Sequence, residues 1–330
     1  MEDLGFKILK EFGVRAQSCA KIKYSHICQV EDGVIATGKT NMPHEKILFA
    51  HAVKEHLFAN DFEGVDRFLT TPQGVPYATI YGETYVASYY VQTRDANFSC
   101  ADEFLSILKT VATMHFKLGE VSLPKHPQLS NDKLLLEDYF AKKIKDLKKY
   151  KKLATGKGNL SNFDVLLVKN FQSILETSCA AIELLQQVDY MGILTSAKSQ
   201  VCHNSLKEET IRVDDSGQMR IVGFDNAAPG HALFDLSALI HRHFKKKSEK
   251  VLPLKAVLNT YTQTNPLNRA ELALLEAVLI FPAKIYELCE KHYTKKRAWE
   301  SAAMVDRLQR EMDVWAEYLA YVKECFSGKS

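Results

Sequence analysis

No apolar run in this 330-residue sequence approaches the roughly 18 residues that cross a membrane, and no C-x-x-C pair occurs among its seven cysteines. The first absence argues against a membrane-spanning helix. The second, with an odd cysteine count in a chain too large to need staples, argues against structural zinc and for reduced thiols in a cytosol-like compartment. The opening stretch MEDLGFKILKEFGV carries acids near its front and lacks a basic segment leading into an apolar one, so no secretory leader is expected and the chain is read as cytoplasmic as synthesised. A net charge of +3 is too small an excess to point to a nucleic-acid partner. Repeats and low-complexity segments are also missing. What is present is an ordinary globular balance, 46% apolar and 25% charged, enough for a sizeable core.

The first ninety residues read as strands around one helix. An amphipathic helix over Met1 to Phe12 leads to Ala20–Tyr24 and Ile27–Val30, and Glu31-Asp32-Gly33 turns the chain into Val34–Thr37, a hairpin signal. Pro43 precedes a helical pattern through Ile47, Ala50 and Leu57. Strands are expected at Phe68–Thr71, Tyr77–Tyr81 and Tyr85–Val91, the first two separated by the turn Pro72-Gln73-Gly74. From about Ser99 the spacing becomes helical. Helices are expected around Phe104–His115, in a lysine-rich stretch around Leu136–Leu147, over Phe163–Leu185 and Ala270–Leu288, and over Trp299–Phe326. One β signature lies inside this helical half, where Ile211–Val213 and Met219–Val222 flank Asp214-Asp215-Ser216-Gly217. The order predicts an α+β, two-lobed kinase-like fold. It has a β-rich N-lobe over 1–94, a connector near Gln92–Asp95, and a helical C-lobe over 95–330 with an embedded hairpin at 211–222. A doubly wound sheet would alternate strands and helices throughout, and this chain does not.

Gly33-Val34-Ile35-Ala36-Thr37-Gly38-Lys39-Thr40 matches the P-loop pattern letter for letter. A P-loop wraps phosphates with backbone N–H groups at a helix start. Four strand formers fill the middle here and Pro43 interrupts the run into a helix, so the stretch is expected to be a strand of the hairpin. A P-loop nucleotidase at 33–40 is the weaker alternative.

The segment Val201-Cys202-His203-Asn204-Ser205-Leu206-Lys207-Glu208-Glu209-Thr210-Ile211 precedes the embedded hairpin, and Ile221-Val222-Gly223-Phe224-Asp225 closes it. In phosphotransferases such a loop supplies a base and a metal-binding amide, and the hairpin delivers an aspartate to the Mg²⁺–nucleotide. With Phe68–Gly74, Met114-His115, Gly230–Leu239, Phe281–Tyr286 and His292–Trp299 in the same order, the chain resembles the CotS-type spore coat kinase-like family of the aminoglycoside/choline phosphotransferase group. That family's loop runs H-x-D-x-x-x-x-N, followed by I-D-[FW]-[DE]. By this resemblance His203 holds the histidine position, Ser205 the base position, Thr210 the metal-amide position and Gly223 the metal-aspartate position. The phosphate-anchoring lysine falls at Gly38, with Lys39 one residue later and, by strand alternation, facing away from the cleft.

Serine cannot take a proton near neutral pH as a carboxylate does, threonine is a poor metal ligand, and glycine offers none. No intact catalytic residue is therefore expected. Asp225, placed on the same strand face as Gly223, is the one acid that could bind a metal, and Lys39 the one lysine for a nucleotide. Glu45 and Glu55 are candidates for a helix glutamate but read as solvated. Asp235 reads as a backbone-orienting acid, His203 as a structural histidine, and His241 and His243 as a solvated helix end. The lysines from Lys142 to Lys157 read as a solvated face able to dock an acidic partner. The resulting expectation is a catalytically impaired, pseudokinase-type structural or binding protein. By resemblance it is associated with the spore coat and its proteins, with no cofactor, nucleic acid or membrane expected. The alternative is an active phosphotransferase using ATP and Mg²⁺ on an unorthodox site built on Asp225 and Lys39.

Overall fold

The computed structural model describes residues 4–120, 136–156, 158–195, 201–246, 251–294 and 302–327. They gather into two compact units, Met1–Asp132 with Ala197–Asp235, and Lys133–Ser196 with Leu236–Ser330. Where the expected division at 94/95 follows the change from strand to helix, these units follow packing. The first keeps the loop and hairpin before Asp235 together with the N-terminal sheet.

In the first unit, α1 (Leu4–Glu11) buries Ile8 and Leu9 in a core shared with Cys28, Val30, Ile35, Tyr85 and Ala87. The sheet is antiparallel, in the order β1 (Ser18–Ile22), β2 (Ser25–Val30), β3 (Gly33–Thr40), β5 (Glu83–Tyr89), β4 (Ala78–Ile80). Helix α2 (His44–Ala59) joins β3 to this region. The stretch Gly33–Thr40 is one strand paired along both edges, with β2 and with β5. Its backbone groups go to the ladders, so no phosphate-cradling loop exists there and the P-loop reading fails. The strand expected at Phe68–Thr71 shrinks to a single bridge between Phe68 and Ser88.

Cys19 and Cys28 stand directly opposite each other on β1 and β2 and form a disulfide. This corrects the expectation that the thiols are all reduced. Cys100, Cys179, Cys202, Cys289 and Cys325 are not disulfide-bonded.

The connector also does more than expected. Thr93–Asp95 forms β6, which pairs with β7 (Ile211–Asp214), and β7 pairs with β8 (Met219–Ile221). The embedded hairpin is thus part of a three-stranded sheet. Segment 63–66 runs beside it, with Val65 bridging Ile221 and the Ile221 N–H donating to the Gly64 carbonyl at 2.7 Å. Any Cβ at Gly64 would come within 2.9 Å of the Met219 carbonyl oxygen, so only glycine permits this approach. Helix α3 (Ala101–Lys117) completes the unit and buries Phe104, Leu108, Val111 and His115.

The second unit is helical: α4 (Leu136–Thr155), α5 (Asn162–Gln186), α6 (Tyr190–Thr195), most of α7 (Ala232–Lys245), α8 (Leu254–Thr262), α9 (Arg269–Ile280), α10 (Ala283–Thr294) and α11 (Ala302–Phe326). Capping boxes start α5 (Ser161 with Asp164) and α9 (Asn268 with Glu271). The helix expected over Ala270–Leu288 is two helices, because Pro282 has no N–H to donate and its ring clashes with the preceding turn. Leu147, Tyr150, Phe163, Phe171, Ile285 and Leu308 lie in the core of this unit, with Trp315 packed at its margin. Trp299 falls outside the described residues. Among those described, no helix is long and apolar enough to cross a membrane.

His241 and His243 do not form a solvated helix end. His243 is fully buried and accepts the Leu252 N–H at 3.2 Å, while His241 packs edge-on against Tyr318 with ring centroids 4.9 Å apart. Burial first, then the charges of Lys245, Lys284 and Arg242, lower the His241 pKa to about 4. The folded value lies below the unfolded value of about 6.5. Its contribution is therefore fully present above pH ~6.5 and is lost as the pH falls through about 4, worth on the order of 3 kcal/mol. Urea unfolding at pH 7.5 and pH 4 should show that loss in the native chain and a smaller one in His241→Leu. Equal acid slopes would refute it.

Candidate functional site

The loop before the hairpin is built around one buried carboxylate. Asp235, 2% exposed near the start of α7, accepts the His203 backbone N–H at 2.6 Å on one oxygen and the Asn204 N–H at 2.8 Å on the other. His115 of α3 adds its Nε2 at 3.3 Å. Asn204 adopts a left-handed φ of 58°, the bend that presents both amides to the same side chain. Burial would raise the Asp235 pKa. The hydrogen bond and charge of His115, helped by the His203 amide, overcome it and hold the carboxyl below its ordinary value. Asp235 thus orients the backbone of the loop.

His203 is itself fully buried. Its Nε2 lies 3.1 Å from the Val222 carbonyl, so that nitrogen carries the proton, and its ring packs edge-on against Phe224. Burial lowers its pKa, which favours the neutral ring. It ties the loop to the end of the hairpin.

The three positions that the resemblance reads as departures, Ser205, Thr210 and Gly223, are woven into this scaffold. Thr210 Oγ1 lies 2.5 Å from the Ser205 carbonyl and accepts the Lys207 N–H at 3.0 Å. The hydroxyl is spent closing the loop on itself. Gly223 has a φ of 74°, and a Cβ there would meet Thr210 Cγ2 at 3.3 Å. Thr210 and Gly223 are therefore complementary, the methyl of one filling space the other leaves. β8 ends at Ile221 and Gly223 turns the chain into a short 3₁₀ turn, Phe224–Asn226. That corrects the placement of Asp225 on the strand face of Gly223. Asp225 is exposed on the turn.

The residue that sequence reasoning missed is Lys54. It is completely buried on α2, with Nζ 3.1 Å from Asp66 Oδ1 and 3.5 Å from the centre of the Phe68 ring. The contact is ionic, its angles lying outside hydrogen-bond alignment. The other Asp66 oxygen accepts the Gly223 N–H at 3.3 Å. A signal for Lys54 exists in the sequence, since Ile47, Ala50, Lys54 and Leu57 fall at i, i+3, i+7 and i+10 on the buried stripe. Glu55, considered beforehand, forms a two-pronged pair with Arg67 at 2.9 and 2.6 Å.

An active kinase of this architecture pairs a strand lysine with a helix glutamate. The resemblance places the strand position at Gly38, and α2 carries a buried lysine whose carboxylate partner, Asp66, lies beyond the helix end. Lys39 pairs with Glu83 at 2.8 Å with both side chains about half exposed (47% and 48%).

A cleft of ≈ 280 Å³ lies between the sheet and the hairpin, lined among others by Ala36, Asp66, Tyr90, Arg212, Arg220 and Val222. Lys39 and Asp225 are not among its lining residues. Both arginines are engaged, Arg212 with Asp95 and Thr93, and Arg220 with Asp214 at 3.0 Å. Asp66 accepts the Gly223 amide, and it already neutralises an ammonium. A divalent cation at Asp66 would sit against Lys54, so this donor set does not fit one. Among the described residues, no group of three or more His, Cys, Asp or Glu side chains is arranged to hold a metal.

Comparison with solved structures gives the same fold. An aminoglycoside phosphotransferase from Alicyclobacillus acidocaldarius subsp. acidocaldarius DSM 446 superposes with a TM-score of 0.82 at 16% identity, covering 99% of this chain and 97% of the other. The AMP-bound complex of spectinomycin phosphotransferase gives 0.62 at 11%, covering 98% of each. An amicoumacin kinase in complex with AMP-PNP, Ca²⁺ and Ami gives 0.55 at 15%, covering 91% and 87%. Among curated proteins, none matches the chain. The family model described as spore coat putative kinase YutH matches residues 6–325.

Proposed function

The chain belongs to the spore coat putative kinase YutH family, and from that premise we propose that it is a pseudokinase: a kinase-like protein without efficient phosphoryl transfer, made in the cytoplasm and serving the spore coat as a structural, partner-binding component. One observation carries the reading. The Gly223 amide, at the position where a metal-binding aspartate is expected, is hydrogen-bonded to Asp66, and Asp66 neutralises the buried Lys54. An ammonium stands where metal chemistry would need a free carboxylate. Phosphoryl transfer depends on metal ions and positioning, and the Ser205, Thr210 and Gly223 substitutions remove the usual means of both.

The reading is tested by thermal unfolding with ATP, with and without Mg²⁺ or Mn²⁺. A ligand at about 100 times its Kd stabilises the folded state by ~2.7 kcal/mol. No metal-dependent shift is expected. A Mg²⁺-dependent shift that disappears in Asp225→Ala would overturn the proposal in favour of an active phosphotransferase.

A partner surface fitting this role is the outer face of α4. Lys142, Lys145, Lys148, Lys149 and Lys152 are exposed there, whereas Lys143 lies 3.6 Å from the Tyr286 ring centre and Lys151 4.5 Å from that of Phe171. The stems of those two lysines cover aromatic surface, and the other five present charge to solvent. An acidic segment of a coat protein is the complementary partner. Lys157 lies outside the described residues.

A further inference from the structure

Helices α10 and α11 pack against each other and leave beside them a groove of ≈ 530 Å³, lined wholly by the second unit. The kinase-like reading does not use it. Sequence spacing explains why these side chains meet there. Lys284, Glu287, Leu288 and Lys291 stand at i, i+3, i+4 and i+7 on α10, and Arg307, Arg310, Glu311 and Val314 repeat that spacing on α11. Each set is one helix face about 10 Å long. Lys245, the last residue of α7, completes the lining.

Charge divides this lining in two. Glu287 takes Lys284 at 2.8 Å and Glu311 takes Lys245, so both acids of the groove are spent. Lys291, Arg307 and Arg310 are exposed and have no carboxylate partner among the described residues. Arg310 donates its Nε–H to the Asp306 carbonyl at 3.2 Å, one turn back, which leaves its two terminal amino groups for a ligand. Three cations thus share one groove without a counter-charge, and their mutual repulsion is relieved when an anion enters.

The rest of the lining narrows the kind of anion. Its apolar part is Leu288 and Val314, with no aromatic ring. A protein segment holds to its site through large buried anchors, and a nucleoside base through stacking on a ring. The groove offers neither. It offers two arginine forks, each able to hold paired phosphoryl oxygens, and the point charge of a lysine. A single phosphate group carries about −1.5 to −2 at neutral pH, short of three cations. The volume lies within the about 300–1,000 Å³ of small-molecule sites.

We infer that this groove binds a small oligophosphate, several phosphoryl groups close together, with Arg307 and Arg310 holding it from α11 and Lys291 from α10. That chemistry is common to an inorganic phosphate chain, a phosphorylated polyol and the tail of a nucleoside triphosphate.

The test is isothermal titration calorimetry on the full chain, without divalent cations, at about 0.1 M ionic strength. One saturable site is expected for tripolyphosphate, and inositol hexakisphosphate should compete for it. Whichever of the two binds tighter names the source as an inorganic chain or a polyol. Orthophosphate should be about ten-fold weaker or more, and ATP no tighter than tripolyphosphate. Arg307→Gln and Arg310→Gln should each weaken tripolyphosphate about ten-fold and together abolish its binding. Both positions are exposed, so the thermal midpoint without ligand should stay in place. Removing three charges from α4 instead, by Lys145→Gln, Lys148→Gln and Lys149→Gln together, should change the affinity by no more than about two-fold. The inference is overturned if tripolyphosphate fails to bind with a Kd below about 1 mM, or if the α4 variant loses binding while the arginine pair keeps it. An oligo-aspartate peptide that binds as tightly would make the groove a protein-docking face. ATP more than about ten-fold tighter than tripolyphosphate would show a base being read outside it.

Discussion

Asp66→Ala is expected to destabilise the first unit by about 4 kcal/mol, and Lys54→Met by about half as much. The asymmetry follows from burial. Lys54 has no exposed side-chain surface, whereas 24% of the Asp66 side chain reaches solvent. Removing the carboxylate strands an ammonium whose other close neighbour is the face of Phe68. Removing the ammonium leaves a carboxylate that still has water on one side and the Gly223 N–H on the other. Methionine also keeps the length and packing of the lysine stem. The double variant should recover part of the Asp66→Ala loss, because it removes both charges together. Urea unfolding of the four proteins gives the coupling energy directly, expected at 1 kcal/mol or more on the ~0.5–3 kcal/mol scale of contacting pairs. A cycle that closes additively, or a Lys54→Met cost exceeding that of Asp66→Ala, would show that the pair is not the neutralising element assigned to it.

Asp235→Ala is the second large effect, also about 4 kcal/mol. It deprives the His203 and Asn204 amides and the His115 ring of their shared acceptor, at roughly 1–3 kcal/mol for each buried donor left unpaired. Asp235→Asn should fall between, since its one carbonyl oxygen can serve one amide while its NH₂ faces the other donors. The two variants also differ from the native chain in acid. The folded pKa of Asp235 lies below its unfolded value, so its contribution is fully present above the unfolded pKa of about 3.9 and is lost as the pH falls through the folded one. Unfolding measured between pH 5 and pH 2 should show a limb in the native protein that Asp235→Asn lacks. A parallel limb in both would mean that the carboxylate is protonated already in the folded state.

The parts of this molecule that could be read from residues are those governed by local rules. The Asp32-Gly33 turn between β-branched runs places β2 against β3. Helical spacing gives α3, α4 and α5, and the order of elements gives the kinase-like architecture. What escaped depends on partners far away in the chain. Thr93–Asp95 becomes a strand because Asp214, Val213 and Arg212 arrive opposite it, and three residues alone carry no periodicity. Cys19 and Cys28 meet through register, which a separation of nine residues does not announce. Asp225 was misplaced because a left-handed glycine ends the alternation on which strand faces are counted.

The candidate site divides along the same line. Ser205, Thr210 and Gly223 were read as departures from the motif of the resembled family, and the fit of the last two appears only in three dimensions, where the Thr210 methyl occupies the space beside Gly223. Lys54 was hidden by convention. A charge on a helix is assigned to solvent by default, although its spacing with Ile47, Ala50 and Leu57 put it on the inner face.

The close approach at Gly64 has a mechanical consequence. Enzymes that close around a nucleotide spend binding energy on moving one part toward another. Here the bridge from Val65 to Ile221, the bond from the Ile221 amide to the Gly64 carbonyl and that from the Gly223 amide to Asp66 already rivet segment 63–66 to the hairpin. An arriving ligand meets the segment and the hairpin already joined. On the coat role proposed above, a segment and hairpin joined when the chain folds would bring a constant shape to a layered assembly.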